Sequence, residues 1–200
     1  MISTLSKKHY FDTVFDSQKV FRLILEAMAN PARIASIKKY ADKFLTAYDC
    51  HSVFLTVAMT LLDNEISFNA CENHSLTDEI ASLTLAKKEK IEEADFIFIY
   101  YSDVKKIENV IESVKCGTLA DPHKSATVII KNFGEPDCRL AFSGPGIDGD
   151  VKIETSQIVK NTLALRDAQN YEYPQGIDLI FISDEGELFA IPRLVKMEVV

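Results

Sequence analysis

Two polar residues interrupt the apolar stretch near the end of the chain: Asp178 stands after Ile177 at the head of the run Leu179, Ile180, Phe181, Ile182, and Arg193 follows Pro192. A carboxylate and a guanidinium so placed either mark the solvent boundary of two strands or are aimed at a ligand. A second feature is Ser143-Gly144-Pro145-Gly146-Ile147-Asp148-Gly149-Asp150, after a predicted strand. Gly144 and Gly146 permit unusual dihedrals and close backbone approach, so exposed amides there can form a nest for an anion. The spacing matches neither GxGxxG nor the GxxxxGK[ST] phosphate loop, and a tight turn between two strands accounts for it as simply. Arg22 flanks the apolar stripe of a predicted helix, where its plain role is to cover the core edge with its stem.

Other chemistries have less to draw on. Asp63 and Glu65 can act as a carboxylate pair, but two acids at a helix end also describe a solvated turn. His123 lies in a loop between a predicted helix and strand and can titrate near neutrality. Cys71-x-x-His74 has metal-like spacing, yet one short pair cannot complete a tetrahedral site, so no metal is expected. GxSxG is missing, and no histidine adjoins a recognisable Ser or Cys motif. A pyridoxal phosphate enzyme needs a Schiff-base lysine; Lys131, at a predicted strand end, is a poor candidate.

The elements that must hold these residues follow from apolar spacing. Helices are predicted from Val20, Phe21, Ile24, Leu25 and Met28, capped by Asp16 or Ser17; over residues 49–62; after a Ser75-x-x-Asp78 capping box; after Asp103; and over 157–171, with Ile158, Thr162 and Leu165 on one side. Strands are predicted at 33–37, 66–70, 96–101, 126–131 and 139–143. A closing hairpin pairs 177–182 with 188–191 across Asp184-Glu185-Gly186-Glu187. The charged run 87–93 reads as a surface face. Strand, helix, strand over 96–131 is a βαβ crossover, so the class is α/β, a sheet with helices on both faces, within one domain spanning residues 1–200.

Composition bounds the function. A chain of 200 residues with net charge -8 and 26% charged side chains disfavours nucleic acid, whose binders gather Lys and Arg. No window reaches the roughly twenty apolar residues of a membrane span. Residues 1–10 are not followed by a signal-like apolar stretch, and four scattered cysteines suit reduced thiols, so a cytoplasmic location is expected.

Taken together, FRLILEAMANP (residues 21–31), LLDNE (61–65), GTLADPHKSATVII (117–130), FSGPGI (142–147) and YPQGIDLIFISDEGELFAIPR (173–193) resemble, in order and spacing, the PhnH subunit family of the bacterial carbon–phosphorus lyase system. The PxGIDL…AIPR pattern and the GPGI turn are its specific parts. This chain departs from the family where Pro31-Ala32 replaces Pro-Gly and where Ser125 replaces a glycine. The resemblance implies a fold like that of pyridoxal-phosphate-dependent transferases but without the cofactor. It implies a homodimer acting with other lyase core subunits to form α-D-ribose 1-alkylphosphonate 5-triphosphate from ATP and an alkylphosphonate. It also gives the polar residues a use: Arg22 and Arg193 attract the anion, Gly144 and Gly146 offer amides, and Asp178 orients an arginine, with Asp63 and His123 as weaker additions. A non-catalytic assembly subunit is the alternative.

Overall fold

The computed structural model describes residues 11–44, 51–101, 104–131 and 133–199. Residues 1–10, the helix start expected at residue 49, Cys50 and the cap expected at Asp103 lie outside the described residues.

In chain order the elements are α1 (Phe15–Ala29), β1 (Ala35–Ser36), α2 (Lys38–Ala41), α3 (Ser52–Leu61), β2 (Ser67–Asn69), α4 (His74–Thr84), β3 (Lys87–Lys88), β4 (Phe96–Tyr100) and α5 (Val104–Ser113). A short 3-10 turn, Pro122–Lys124, leads to β5 (Thr127–Lys131), β6 (Cys138–Ser143), β7 (Val151–Thr155), α6 (Gln157–Ala168), β8 (Asp178–Ile182), β9 (Glu187–Ile191) and β10 (Lys196–Val199). Two caps differ from those expected. Asp12, not Asp16 or Ser17, caps α1: its Oδ1 accepts from the amides of Val14 and Phe15 at 2.9 and 2.8 Å. Asp16 lies inside the first turn, where it accepts instead from the Asp12 amide and from Lys43. Asn73 rather than Ser75 caps α4, accepting from the Leu76 amide at 3.1 Å. In both helices the carboxylate or amide just ahead of the helix reaches the free amides, and the residue within it cannot.

The main sheet has seven strands in the order β1-β9-β8-β5-β4-β2-β3. β3, β2, β4, β5 and β8 run parallel, and β9 turns back antiparallel to β8 in the expected hairpin, with Leu179 opposite Ile191. The expected crossover is present as β4–α5–β5. Side chains alternate along each strand, so Phe98, Ile129, Ile180 and Ile182 meet α1, α3 and α4 on one face. Ile97, Ile99, Val128, Ile130, Leu179 and Phe181 meet α5 and α6 on the other. Helices therefore cover both faces. Residues 139–143 belong not to this sheet but to a separate antiparallel one, in the order β10-β6-β7. Leu140 and Phe142 of β6 join the α5/α6 core, while β7 keeps one face wet, as antiparallel sheets can. Among the described residues no helix is long and apolar enough to cross a membrane.

Candidate functional site

The first residue of β8 and the residue two past β9 face each other because the hairpin register brings them there. Leu179 pairs with Ile191, so the next positions outward are Asp178 and the Pro192–Arg193 step. The Asp178 carboxylate accepts from the Arg193 backbone amide at 2.8 Å, from Nε at 3.2 Å and from Nη2 at 2.5 Å. Nη1 of Arg193 donates to the Pro122 carbonyl. Both side chains are mostly covered, at 18% and 11% exposure, so little water weakens the pair. Three of the five guanidinium donors are used by these contacts. Arg193 also lines an open groove of about 580 Å³ with Asn170, Tyr171, Tyr173, Gln175 and Lys196.

The segment carrying Arg193 is fixed from behind by Arg166, which is 2% exposed. Its Nη2 donates to Val195 O at 2.7 Å, Nη1 to Pro192 O at 3.3 Å, and Nε to Asp167 at 2.9 Å. Sequence reasoning missed this residue because it put Ile158, Thr162 and Leu165 on the inner side of α6. The buried face is Val159, Thr162, Leu163 and Arg166. An arginine falling on that stripe was the signal.

The glycines contribute space. Gly144 has φ 132°, and a Cβ there would lie 3.0 Å from Leu194 O and 3.2 Å from Val195 Cα. Gly146, at φ 85°, would put a Cβ 2.5 Å from Ala29 O and 2.9 Å from the Pro31 ring. The β6–β7 turn is therefore wedged between the end of α1 and the backbone just after Arg193, which no residue with a side chain permits. Gly176 works alike, since its Cβ would meet that of Arg193 at 2.9 Å.

The structure thus gathers Asp178, Arg193, Gly144 and Gly146 at one corner, the amino end of the parallel strands. His123 is adjacent, exposed in the 3-10 turn next to Pro122. Arg22 is not drawn in: it lies on the exposed side of α1, about 10 Å along the helix from Ala29, and makes no hydrogen bond or ion pair among the described residues. Asp63 is exposed and holds its own turn, accepting from the amides of Glu65 and Ile66 at 2.8 and 3.3 Å. No group of three or more metal-ligating side chains occurs among the described residues.

A second charged cluster occupies the carboxyl end of the same strands. Lys131 closes β5, 1% exposed, with its ammonium 2.9 Å from Asp184 and 5.2 Å from the Tyr100 ring centre. His51, also buried, bonds Glu79 through Nδ1 at 2.5 Å. Lys131 pairs with Ile182 in the register where Thr127 pairs with Asp178, so the two clusters are separated by about four residues of strand, or about 13 Å.

The profile of a family described as bacterial phosphonate metabolism protein (PhnH) matches residues 8–198. Among curated proteins, the chain is 27% identical over 179 residues to HtxG of Stutzerimonas stutzeri, named as a C-P lyase subunit, covering 88% of this chain and 83% of that protein. It is 26% identical over 196 residues to the alpha-D-ribose 1-methylphosphonate 5-triphosphate synthase subunit PhnH of Rhizobium meliloti (strain 1021), covering 94% of each.

Proposed function

The chain belongs to the PhnH family of bacterial phosphonate metabolism proteins, and from that premise we propose that it is a subunit of a carbon–phosphorus lyase assembly that helps form α-D-ribose 1-alkylphosphonate 5-triphosphate from ATP and an alkylphosphonate. The observation that carries a role in substrate handling is the Arg193–Asp178 pair at the wall of the groove. Asp178 and the Pro122 carbonyl fix the guanidinium plane, and its remaining donors suit phosphonate or triphosphate oxygens. Lys196 adds a second cation on the same wall, while Gln175 and Asn170 supply amides. Held rigid before a ligand arrives, such donors cost little ordering on binding.

No pyridoxal phosphate enters this reading, although the fold is read as transferase-like. Lys131 is engaged by Asp184 and the Tyr100 ring, at the other end of the strands from the groove. The protein works in the cytoplasm as a homodimer and with other lyase subunits.

A second reading, an assembly subunit without chemistry of its own, is favoured by α1. Val14, Phe15, Phe21 and Leu25 are exposed along it, with Ile34 beyond its end, an apolar surface that suits a subunit contact. Arg22 then stands at a contact rather than over a ligand. Reconstitution with the partner subunits separates the two: Arg193→Ala is expected to abolish ribose-phosphonate formation while the assembly still forms. Unchanged turnover would assign the protein to assembly alone.

A further inference from the structure

The groove that Arg193 borders is larger and less uniformly charged than an anion site alone requires. Its volume of about 580 Å³ falls in the range of sites for drug-sized ligands and leaves most of the space empty around a short alkylphosphonate. One wall is the segment from Arg193 into β10; the other runs from the end of α6 to Gln175. Along the first wall the charge changes sign. Arg193 and Lys196 are followed by Glu198, which strand alternation puts on the same face of β10 as Lys196, about 7 Å farther along. Asp167, on the second wall, is held by Arg166 at 2.9 Å. A small dianion uses only the cationic end of such a wall, whereas a molecule with phosphates at one end and hydroxyl or amine donors at the other uses both.

The second wall supplies rings. Tyr171 is half-buried against the α5/α6 core, and Gly176 admits it beside Arg193: a Cβ on Gly176 would lie 2.9 Å from Arg193 Cβ and 3.7 Å from Tyr171 Cδ2. Burial pushes the Tyr171 phenol up to about 12, so it stays a neutral O–H, and it makes no hydrogen bond among the described residues. Tyr173 is 76% exposed and makes no ring contact among the described residues. The loop that carries it is nevertheless tied at three points: Gln175 N donates to Glu172 O at 2.7 Å, Gln175 Nε2 to Gly117 O at 3.0 Å and Gly176 N to Cys116 O at 3.0 Å. A ring held out on a fixed loop at the wall of a groove is a stacking platform for a flat ligand, and little ordering is needed to use it.

We propose that the ligand of this groove is a nucleotide, its base stacked on Tyr173, its phosphates at Arg193 and Lys196, and the donors of its sugar or base toward Glu198. This rests on the substrate-handling reading above and chooses, between the two substrates named there, the nucleoside triphosphate over the alkylphosphonate. Isothermal titration calorimetry of the full-length protein with ATP, tripolyphosphate and methylphosphonate tests it. ATP is expected to bind saturably and at least about fivefold tighter than tripolyphosphate, which is about 1 kcal/mol from the stacked base. Tyr173→Ala should erase that advantage while leaving tripolyphosphate binding as it was, and Tyr173→Phe should keep it. Arg193→Ala should weaken the binding of both. Tyr173 is exposed, so its truncation leaves the core untouched, and circular dichroism of the variant checks the fold. ATP that fails to bind, binds no tighter than tripolyphosphate, or keeps its advantage in the Tyr173→Ala protein would overturn the nucleotide assignment. Should tripolyphosphate or methylphosphonate then still bind in an Arg193-dependent way, the role of Arg193 toward phosphonate oxygens stands without it. ATP binding that needs Tyr173 but is unchanged by Arg193→Ala would instead remove the arginine from the site and overturn the placement of the phosphates.

Discussion

The two ends of β5 and β8 carry similar residues in different settings. At the amino end, Arg193 and Asp178 are partly covered and border an open groove. At the carboxyl end, the Lys131 and His51 side chains are buried beneath α3 and α4, although Asp184, the partner of Lys131, reaches solvent. A buried charge is expensive to hold, and removing its partner costs more than the pair is worth. A charge at the wall of a groove can keep donors for a ligand. Ion pairs of nearly equal length thus have different consequences, and accessibility rather than distance separates the structural cluster from the candidate site.

The largest expected effect tests that contrast directly. His51→Ala removes a buried ring and its bond to Glu79, and should lower unfolding stability by about 3 kcal/mol, read from urea midpoints. Arg166→Ala at the other end should cost a similar amount, since it removes a buried side chain together with its bonds to the Val195 and Pro192 carbonyls. The two should part in function. In the reconstituted assembly, the folded His51 variant should retain turnover, whereas the Arg166 variant should lose it, because the segment bearing Arg193 is released. Equal loss in both would erase the distinction between the two ends.

How far these ends were legible beforehand depends on how local the signal is. Apolar spacing revealed β4, α5, β5 and the β8–β9 hairpin because each buries a regular stripe. β3, with two exposed lysines, and β10, largely exposed, gave no such stripe. β7 alternates only between half-buried and exposed before Thr155, and it escaped for the same reason. The Asp178–Arg193 pairing was implicit in the hairpin: once Leu179 is opposite Ile191, the flanking carboxylate and guanidinium must meet. Arg22 shows the limit, since its position on the exposed side of α1 depends on how that helix rotates against β9. The glycine turn was visible, but its steric need was not, because Ala29 and Leu194 are distant in sequence.

A smaller effect concerns acid, again at the amino end. Burial raises the Asp95 carboxyl, but Lys115 at 2.5 Å and the Ser67 hydroxyl and amide outweigh it, leaving the group below its ordinary value. A carboxyl depressed on folding contributes stability above its unfolded value and loses it as pH falls through the folded value. The loss therefore begins below about pH 4. Because the group is partly solvated, the change is about 1 kcal/mol or less. Asp95→Asn should lower stability at neutral pH and flatten the acid limb in urea midpoints taken from pH 7 down to about 3. An unchanged slope would mean that other carboxyls govern the acid response.

The smallest effect is a near balance, at the edge of the same corner. Ala32 follows Pro31 with φ 65°, a left-handed conformation that a side chain makes costly, and its amide is already committed to Ala190 O at 3.1 Å. The family resemblance places a glycine here, and the geometry supplies the reason: the chain must turn sharply off α1 to lie along β9. Ala32 is 2% exposed, so glycine also forfeits a buried methyl, worth about 0.8 kcal/mol, and gains unfolded-state entropy that opposes folding. Against these stands relief of about 1–2 kcal/mol of left-handed strain. With the entropy worth about 0.4–1 kcal/mol the terms nearly cancel, so Ala32→Gly should leave the urea midpoint within an amount equivalent to about 0.5 kcal/mol of its starting value. A clear loss of stability would show that packing of this methyl, not backbone strain, governs the turn against which Gly146 is wedged.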